Sequence, residues 1–333
     1  MSISRLLLRV VRTRLHSSFA ALLVLAAASG AAHAQLLPLP AARHVSAGEY
    51  HSCAVRTCGD VVCWGRDDRG QAQGASDGPY MVVAAGRDHT CAVREDRTVR
   101  CWGSNDRGQL LVPPRERFFT LDAAGNRTCG LTVEGVVRCW GQGIEGEPIS
   151  FAPAFQVATS PRHSCALGED LSTKCWGDTS YGQSPIPWSQ WDPRYYGMWD
   201  VATGYRHTCG VSTTGRVVCF GDDTYGQSRS PGSTRDERGV FISTAHDFTQ
   251  VSAGYFHTCA LDESSLLVCW GYDHYGQTSP PTTLFSQVDA GAYHTCGLTT
   301  TGRVECWGAN TFGQSQPPAI SAVCWNPPRR LGF

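Results

Sequence analysis

The chain has 333 residues, 41% of them hydrophobic and 17% charged, with 36 glycines and 16 cysteines. That balance excludes an intrinsically disordered or long-helical protein and suits a β-rich fold. A formal net charge of −1 carries none of the basic excess that nucleic-acid binding needs, so no nucleic-acid partner is expected.

In chain order, the first element is a targeting segment. Arg5, Arg9, Arg12 and Arg14 precede an apolar run, FAALLVLAAA at residues 19–28, which is short for a bilayer span. Ala32-His33-Ala34 then supplies a small-x-small cleavage pattern, so residues 1–34 read as a signal peptide and Gln35 as the mature start. A retained anchor is the competing reading. No second apolar run follows, so no membrane span is expected after cleavage. Losing those four arginines leaves 24 basic residues against 29 acidic ones, a net charge of −5. The expected location is secreted or periplasmic.

Next come seven copies of one unit. Fourteen cysteines fall into pairs ten residues apart: Cys53–Cys63, Cys91–Cys101, Cys129–Cys139, Cys165–Cys175, Cys209–Cys219, Cys259–Cys269 and Cys296–Cys306. Their first members recur every 36 to 50 residues, the period of propeller blades. In an exported chain such pairs read as disulfides. Zinc would want closely spaced cysteines and four ligands, so no metal is expected.

Each copy predicts a hairpin. In Cys209-Gly-Val-Ser-Thr-Thr-Gly-Arg-Val-Val-Cys219, opposed cysteines leave Thr213-Thr214-Gly215 as a three-residue loop whose third position is left-handed. Gly59, Gly135 and Gly302 occupy that same place. His51, His89, His163, His207, His257 and His294 stand two before the first cysteine and are expected to anchor a backbone group inside the blade. Trp64, Trp102, Trp140, Trp176, Phe220, Trp270 and Trp307 follow the second cysteine and point to the other face. Both faces are then apolar, as a blade stacked between neighbours requires. Asp67, Asn105, Asp223, Asp273 and Asn310 are expected to cap turns rather than bind calcium. Copy three deviates, with Arg127 for the histidine and Gly146-Glu147 for the usual Gly-Gln.

Two links are long. The one between copies four and five carries Trp188, Trp191, Tyr195, Tyr196 and Trp199, which suggests an interface, a sugar-stacking surface or a loop folded over the rim. The one between copies five and six, 229–247, is polar and reads as a mobile loop. After copy seven, residues 319–333 form a tail and a candidate ring-closing strand. Cys58 and Cys324 are left over. In a closed propeller they meet at one seam, which predicts an eighth disulfide, Cys58–Cys324, with free or intermolecular thiols as the alternative.

The unit AG-x-x-H-T-C-A-L…G-x-V-x-C-W-G-x-N-x-x-G-Q, cleanest over residues 291–314, resembles the repeat of the regulator of chromosome condensation family (RCC1-like). The resemblance covers about residues 43 to 318. It implies an all-β, seven-bladed β-propeller, here a secreted bacterial, cysteine-rich variant, with the domain over 35–318. It carries over no functional residue, because the shared motif is structural. Secreted bacterial β-lactamase inhibitor proteins use a similar propeller, and an inhibitor-like role is one version of the expected function.

Catalysis finds no foothold: there is no nucleophile elbow, no HExxH and no phosphate loop. The residues between Ala-Gly and His vary from copy to copy and project at one end of each blade, where Tyr50, Tyr205, Tyr255, Phe256 and Tyr293 join the linker aromatics as candidate binding residues. The expectation is a secreted, non-catalytic, monomeric binding module without cofactor, presenting one propeller face to an extracellular or periplasmic protein or glycan. The alternative from another class is an extracytoplasmic hydrolase or lyase working in the central funnel.

Overall fold

The computed structural model describes residues 41–143, 153–183, 197–235, 240–244 and 247–320. Among them all regular structure is β-strand. Blade 1 consists of Ala42–Ala47, His51–Arg56 and Val61–Gly65, paired antiparallel in that order. Six further blades repeat the plan, their first strands being Tyr80–Ala85, Phe118–Ala124, Ala154–Thr159, Met198–Thr203, Phe248–Ala253 and Phe285–Ala290.

The register follows from the cysteines. Cys53 faces Cys63, and the same partnership recurs in every blade, with Cα atoms 4.0–4.1 Å apart and all seven pairs oxidised. Each disulfide closes a short loop, which restricts the unfolded chain and is worth roughly 2–3 kcal/mol. At the hairpin tip the third loop residue is left-handed throughout: Gly215 has φ 74°. Its carbonyl accepts the N–H of Phe248, which opens the next blade, and a Cβ on Gly215 would lie 2.7 Å from the nitrogen of Asp247.

The first strands of the blades lie side by side, and Phe285–Ala290 rests against Ala42–Ala47, so the ring is closed. All seven line a central channel of about 230 Å³. The ring closes without strand exchange, since Ala42–Ala47 pairs with its own blade. Residues 316–320 carry no strand, although Ile320 packs on Ala42, Val45, Trp64 and Leu298 at the seam of blades 1 and 7. The rest of the expected ring-closing tail, with Cys324, lies outside the described residues. Cys58 is disulfide-bonded, and it belongs to none of the seven intra-blade pairs.

The apolar core sits between blades. Cys53, Val55 and Val61 of blade 1 pack with Tyr80, Val83 and Ala85 of blade 2, and the other clusters likewise draw on two neighbouring sheets. Polar pins cross the same seams. The expectation that the histidines anchor backbone inside their own blade is corrected here. Histidine Nε2 reaches the Thr or Ser hydroxyl of the next blade: His51 to Thr90 at 2.7 Å, His163 to Thr208, His207 to Thr258, His257 to Thr295, and His294 to Ser52 across the closing seam. Those five hydroxyls each donate their one proton to the carbonyl of a Gly-Gln glutamine, as Thr258 does to Gln227 at 2.9 Å. The imidazole must then be the donor at Nε2. His89 reaches Thr128 in the same way. In copy three, Arg127 turns instead to the Gln142 carbonyl, and Ser164 bonds Thr159 in its own blade.

The turn caps form as expected: the side-chain oxygens of Asp67, Asn105, Asp223, Asp273 and Asn310 accept the N–H five residues on. The link after blade 5 departs from the expectation of a merely mobile polar loop. Thr234–Arg235 and Phe241–Ile242 form a hairpin that extends blade 5 outward, and Val240, Phe241 and Ile242 are buried, because this short apolar stretch finds the edge of the strand Val217–Gly221.

Candidate functional site: the aromatic mouth of the channel

Each first strand ends in a tight link, and the seven links surround one mouth of the channel. Four neighbouring pairs of them are tied by backbone: Glu49 N–H donates to Gly86 C=O at 3.1 Å, Arg87 to Gly125 at 2.8 Å, Tyr255 to Ala292 at 3.2 Å and Ala292 to Gly48 at 3.2 Å. This close approach needs glycine. A Cβ on Gly254 would stand 2.3 Å from both the Gly291 oxygen and the His257 ring. The scaffold brings the residues before each histidine to the mouth, Tyr50, Tyr205, Tyr255, Phe256 and Tyr293 among them.

There the rings gather. Tyr205 and Tyr255 are 4.8 Å apart between centroids, Tyr255 and Tyr293 5.7 Å, and Phe256 and Tyr293 6.1 Å. A second tier comes from the turn before each Gly-Gln: Tyr225 lies 5.4 Å from Phe256 and 5.0 Å from Tyr272, and Tyr275 lies 6.0 Å from Tyr293. Phe312 meets Tyr50 at 5.6 Å. Edge-to-face and tilted packing at these distances holds the rings as one surface. Tyr181, Tyr225, Tyr275 and Phe312 stay 43–49% exposed. This tier was missed from the sequence, yet a signal existed. The position before Gly-Gln is aromatic in copies four to seven and arginine in copies one and two, at Arg69 and Arg107. The mouth is therefore aromatic on one side, and on the other carries arginines interleaved with carboxylates, Arg69 lying 3.8 Å from Asp106 and Arg66 3.3 Å from Asp88.

At the base of the mouth sits Glu49, 5% exposed, in a recess of about 250 Å³ lined also by Tyr50, Arg87, Arg127, Tyr205 and Tyr255. Burial pushes the Glu49 carboxyl up, against the Tyr255 hydroxyl that donates to it and the Arg87 guanidinium at 3.7 Å. Tyr255 is pushed up in turn, by burial and then by the Glu49 charge.

The candidates separate in space. Tyr50, Tyr205, Tyr255, Phe256 and Tyr293 are brought together. Trp199 lies near the start of the strand Met198–Thr203 and Tyr205 in the link beyond its end, so Trp199 is at the opposite end of blade 5, about 13 Å from the strand's last residue at a rise of roughly 3.3 Å per residue. Trp188, Trp191, Tyr195 and Tyr196 lie outside the described residues.

The channel wall carries three half-buried aspartates, and all are occupied. Asp122 accepts the N–H of Thr159 at 2.6 Å and of Ala123; Asp200 accepts Val251 N–H at 2.7 Å and the Gln156 amide; Asp289 accepts Ala47 N–H at 2.8 Å and the Ser252 hydroxyl. Burial raises all three, Asp122 to about 7 and Asp200 to about 6. Gln156, Gln250 and Gln287 extend the same belt, each pairing its amide with both backbone groups of one residue in the next blade. These groups pin first strands together. Among the described residues no three His, Cys, Asp or Glu side chains form a metal cluster, and no helix is long and apolar enough to cross a membrane.

Fold and mouth together define a closed seven-bladed propeller of contiguous, disulfide-locked repeats. It is built from the Regulator of chromosome condensation (RCC1) repeat, matched at residues 42–71, 83–109, 200–227, 248–277 and 285–314, and is a cysteine-rich member of that family. The chain is similar to the ectodomain of the Physcomitrella patens receptor kinase CR4, at 28% identity and TM-score 0.63, over 80% of this chain and 72% of that one. It is similar to the ectodomain of the Arabidopsis thaliana receptor kinase ACR4, at 25% identity and TM-score 0.62, over 80% and 94%. Yeast RCC1 (Prp20), solved bound to Kap60, shares the fold at 17% identity and TM-score 0.65, over 91% and 89%. No curated protein matches the chain.

Proposed function

We propose that this chain is an exported, non-catalytic binding module that works as a monomer and presents the aromatic mouth of its propeller to a protein or glycan. The observation that carries this reading is the continuous ring surface joining Tyr205, Tyr255, Phe256 and Tyr293 to Tyr225, Tyr272 and Tyr275. Aromatic residues left half-exposed on a rigid scaffold are the usual anchors of recognition. Likeness to receptor ectodomains and full oxidation of the blade cysteines support an extracytoplasmic site of action. The engagement of both oxygens of each channel aspartate speaks for pinning rather than acid–base chemistry in the funnel.

The test is capture of surface proteins and cell-wall glycans on the immobilised chain, compared with a Tyr50→Ala/Tyr293→Ala variant. Loss of the captured species with a melting temperature within a few degrees of the parent is expected. Capture unchanged by this variant but abolished by Trp199→Ala would move the site to the opposite end.

A further inference from the structure

The arrangement of cations around the mouth is uneven. At the two ends of the aromatic arc the protein seats its own guanidinium groups on the rings. Arg206 lies 4.3 Å from the Tyr181 centroid and 5.5 Å from that of Tyr205, and Arg162 lies 4.7 Å from Tyr205. Arg66 lies 5.4 Å from Tyr50 and 5.8 Å from Phe312. Between these ends stand Tyr225, Tyr272, Tyr275 and Tyr293, over which no guanidinium or ammonium of the described residues is placed; the His274 imidazole flanks two of them, 6.1 Å from Tyr272 and 5.0 Å from Tyr275 between centroids. Two of them are 49% exposed.

Charge in this middle stretch is negative. Asp222 and Asp273 cap its turns, taking hydroxyl and backbone donors, and neither makes an ion pair among the described residues. Beneath them Glu49 is already matched by Arg87 at 3.7 Å, while the hydroxyls of Tyr50, Tyr272 and Tyr275 gather around Tyr293. Ring faces, phenol oxygens and carboxylates all attract a cation, and ring faces hold it best where water is partly excluded.

We propose that the stretch of Tyr225, Tyr272, Tyr275 and Tyr293 is the seat for an arginine or lysine side chain of a protein partner, completing the series of cation-capped rings around the mouth. This rests on the binding-module reading and adds the chemistry of the partner. A neutral sugar would use the ring faces but gain nothing from the carboxylates, and an acidic partner would be repelled by them.

The experiment titrates the purified chain with three probes: an acetylated, amidated Gly-Arg-Gly-Arg-Gly peptide, its citrulline counterpart of the same shape without charge, and chitohexaose. The arginine peptide is expected to bind at least tenfold more tightly than the citrulline peptide. Tyr225→Leu/Tyr275→Leu should weaken it at least fivefold with an unchanged melting temperature, while Tyr225→Phe/Tyr275→Phe keeps most of the binding. Equal affinity for the two peptides, indifference to the leucine pair, or no binding of either peptide overturns the proposal. Chitohexaose bound at this mouth with both peptides inert overturns it too, but leaves the binding-module reading standing. That reading falls separately if the Tyr50→Ala/Tyr293→Ala variant captures everything the parent does.

Discussion

At the scale of single residues, the seams are held by a short relay: imidazole, hydroxyl, carbonyl. His207, Thr258 and the Gln227 carbonyl are all buried, and Trp270 Nε1 donates to that same carbonyl at 2.9 Å. Replacing Thr258 by valine keeps the shape but strands the His207 Nε2 proton, while Trp270 still satisfies Gln227. A lost buried partner costs about 1–3 kcal/mol. Thr258→Val should therefore lower unfolding free energy by that amount in a denaturant titration without changing the mouth. An unchanged midpoint would mean that water replaces the hydroxyl. Arg127 shows what replaces the relay: it stands where the imidazole would, turns to the Gln142 carbonyl, and Ser164 bonds Thr159 in its own blade.

At the scale of elements, the hairpin tip is the most repetitive device and also the least optimised. Its third residue is glycine in four blades, but Arg97, Leu171 and Ser265 hold φ between 64° and 70° in the other three. A side chain in that region costs roughly 1–2 kcal/mol. Arg97 recovers something by stacking on Phe119 at 4.9 Å. Ser265 makes no side-chain hydrogen bond among the described residues, and its carbonyl accepts Phe285 N–H at 2.8 Å whatever the side chain. Ser265→Gly should stabilise the chain by about 1 kcal/mol, read as a rise in melting temperature. A fall would show that the entropy glycine adds to the unfolded chain outweighs the relieved strain.

For the whole molecule, buried ionisable groups set an acid limit. The unfolded chain protonates its histidines near 6.5. In the folded seams burial holds His51, His163, His207, His257 and His294 down to about 3 and His89 to about 4. Their contribution is complete above the unfolded value and is lost as pH falls through the window from 6.5 towards 3, at up to about 1.4 kcal/mol per group and pH unit. Glu49, Asp122, Asp200 and Asp289 act oppositely, because their raised values make the folded state the better proton acceptor between about 7 and 4. His44 at the channel wall, held down to about 4 by burial, adds to the six, and seven groups outweigh four. The melting temperature should be highest near neutral pH and drop steadily below pH 6. A flat or rising profile from pH 7 to 4.5 would show that the seams admit water.

Blade number, hairpin register and disulfide pairing were legible in the chain because each depends on residues within ten positions of one another. Cys209 and Cys219 can face each other only if the loop at Thr213–Gly215 has the length it has. The turn caps were legible for the same reason, since Asp273 acts on a backbone group five residues away. The partners of the histidines were not, because His294 and Ser52 meet only when blade 7 reaches blade 1, a separation of 242 residues. Of the mouth only the first tier was legible: Tyr205, Tyr255 and Tyr293 hold the same variable place before the histidine in their repeats, whereas Tyr225 and Tyr275 sit in a turn that looks purely structural in isolation. Alternation along a strand tells which face a residue takes, but not which blade it will face. Ring closure alone stacks the links at one end and leaves Trp199 at the other. Local periodicity thus determined the blade, and only closure of the circle decided which residues share a surface.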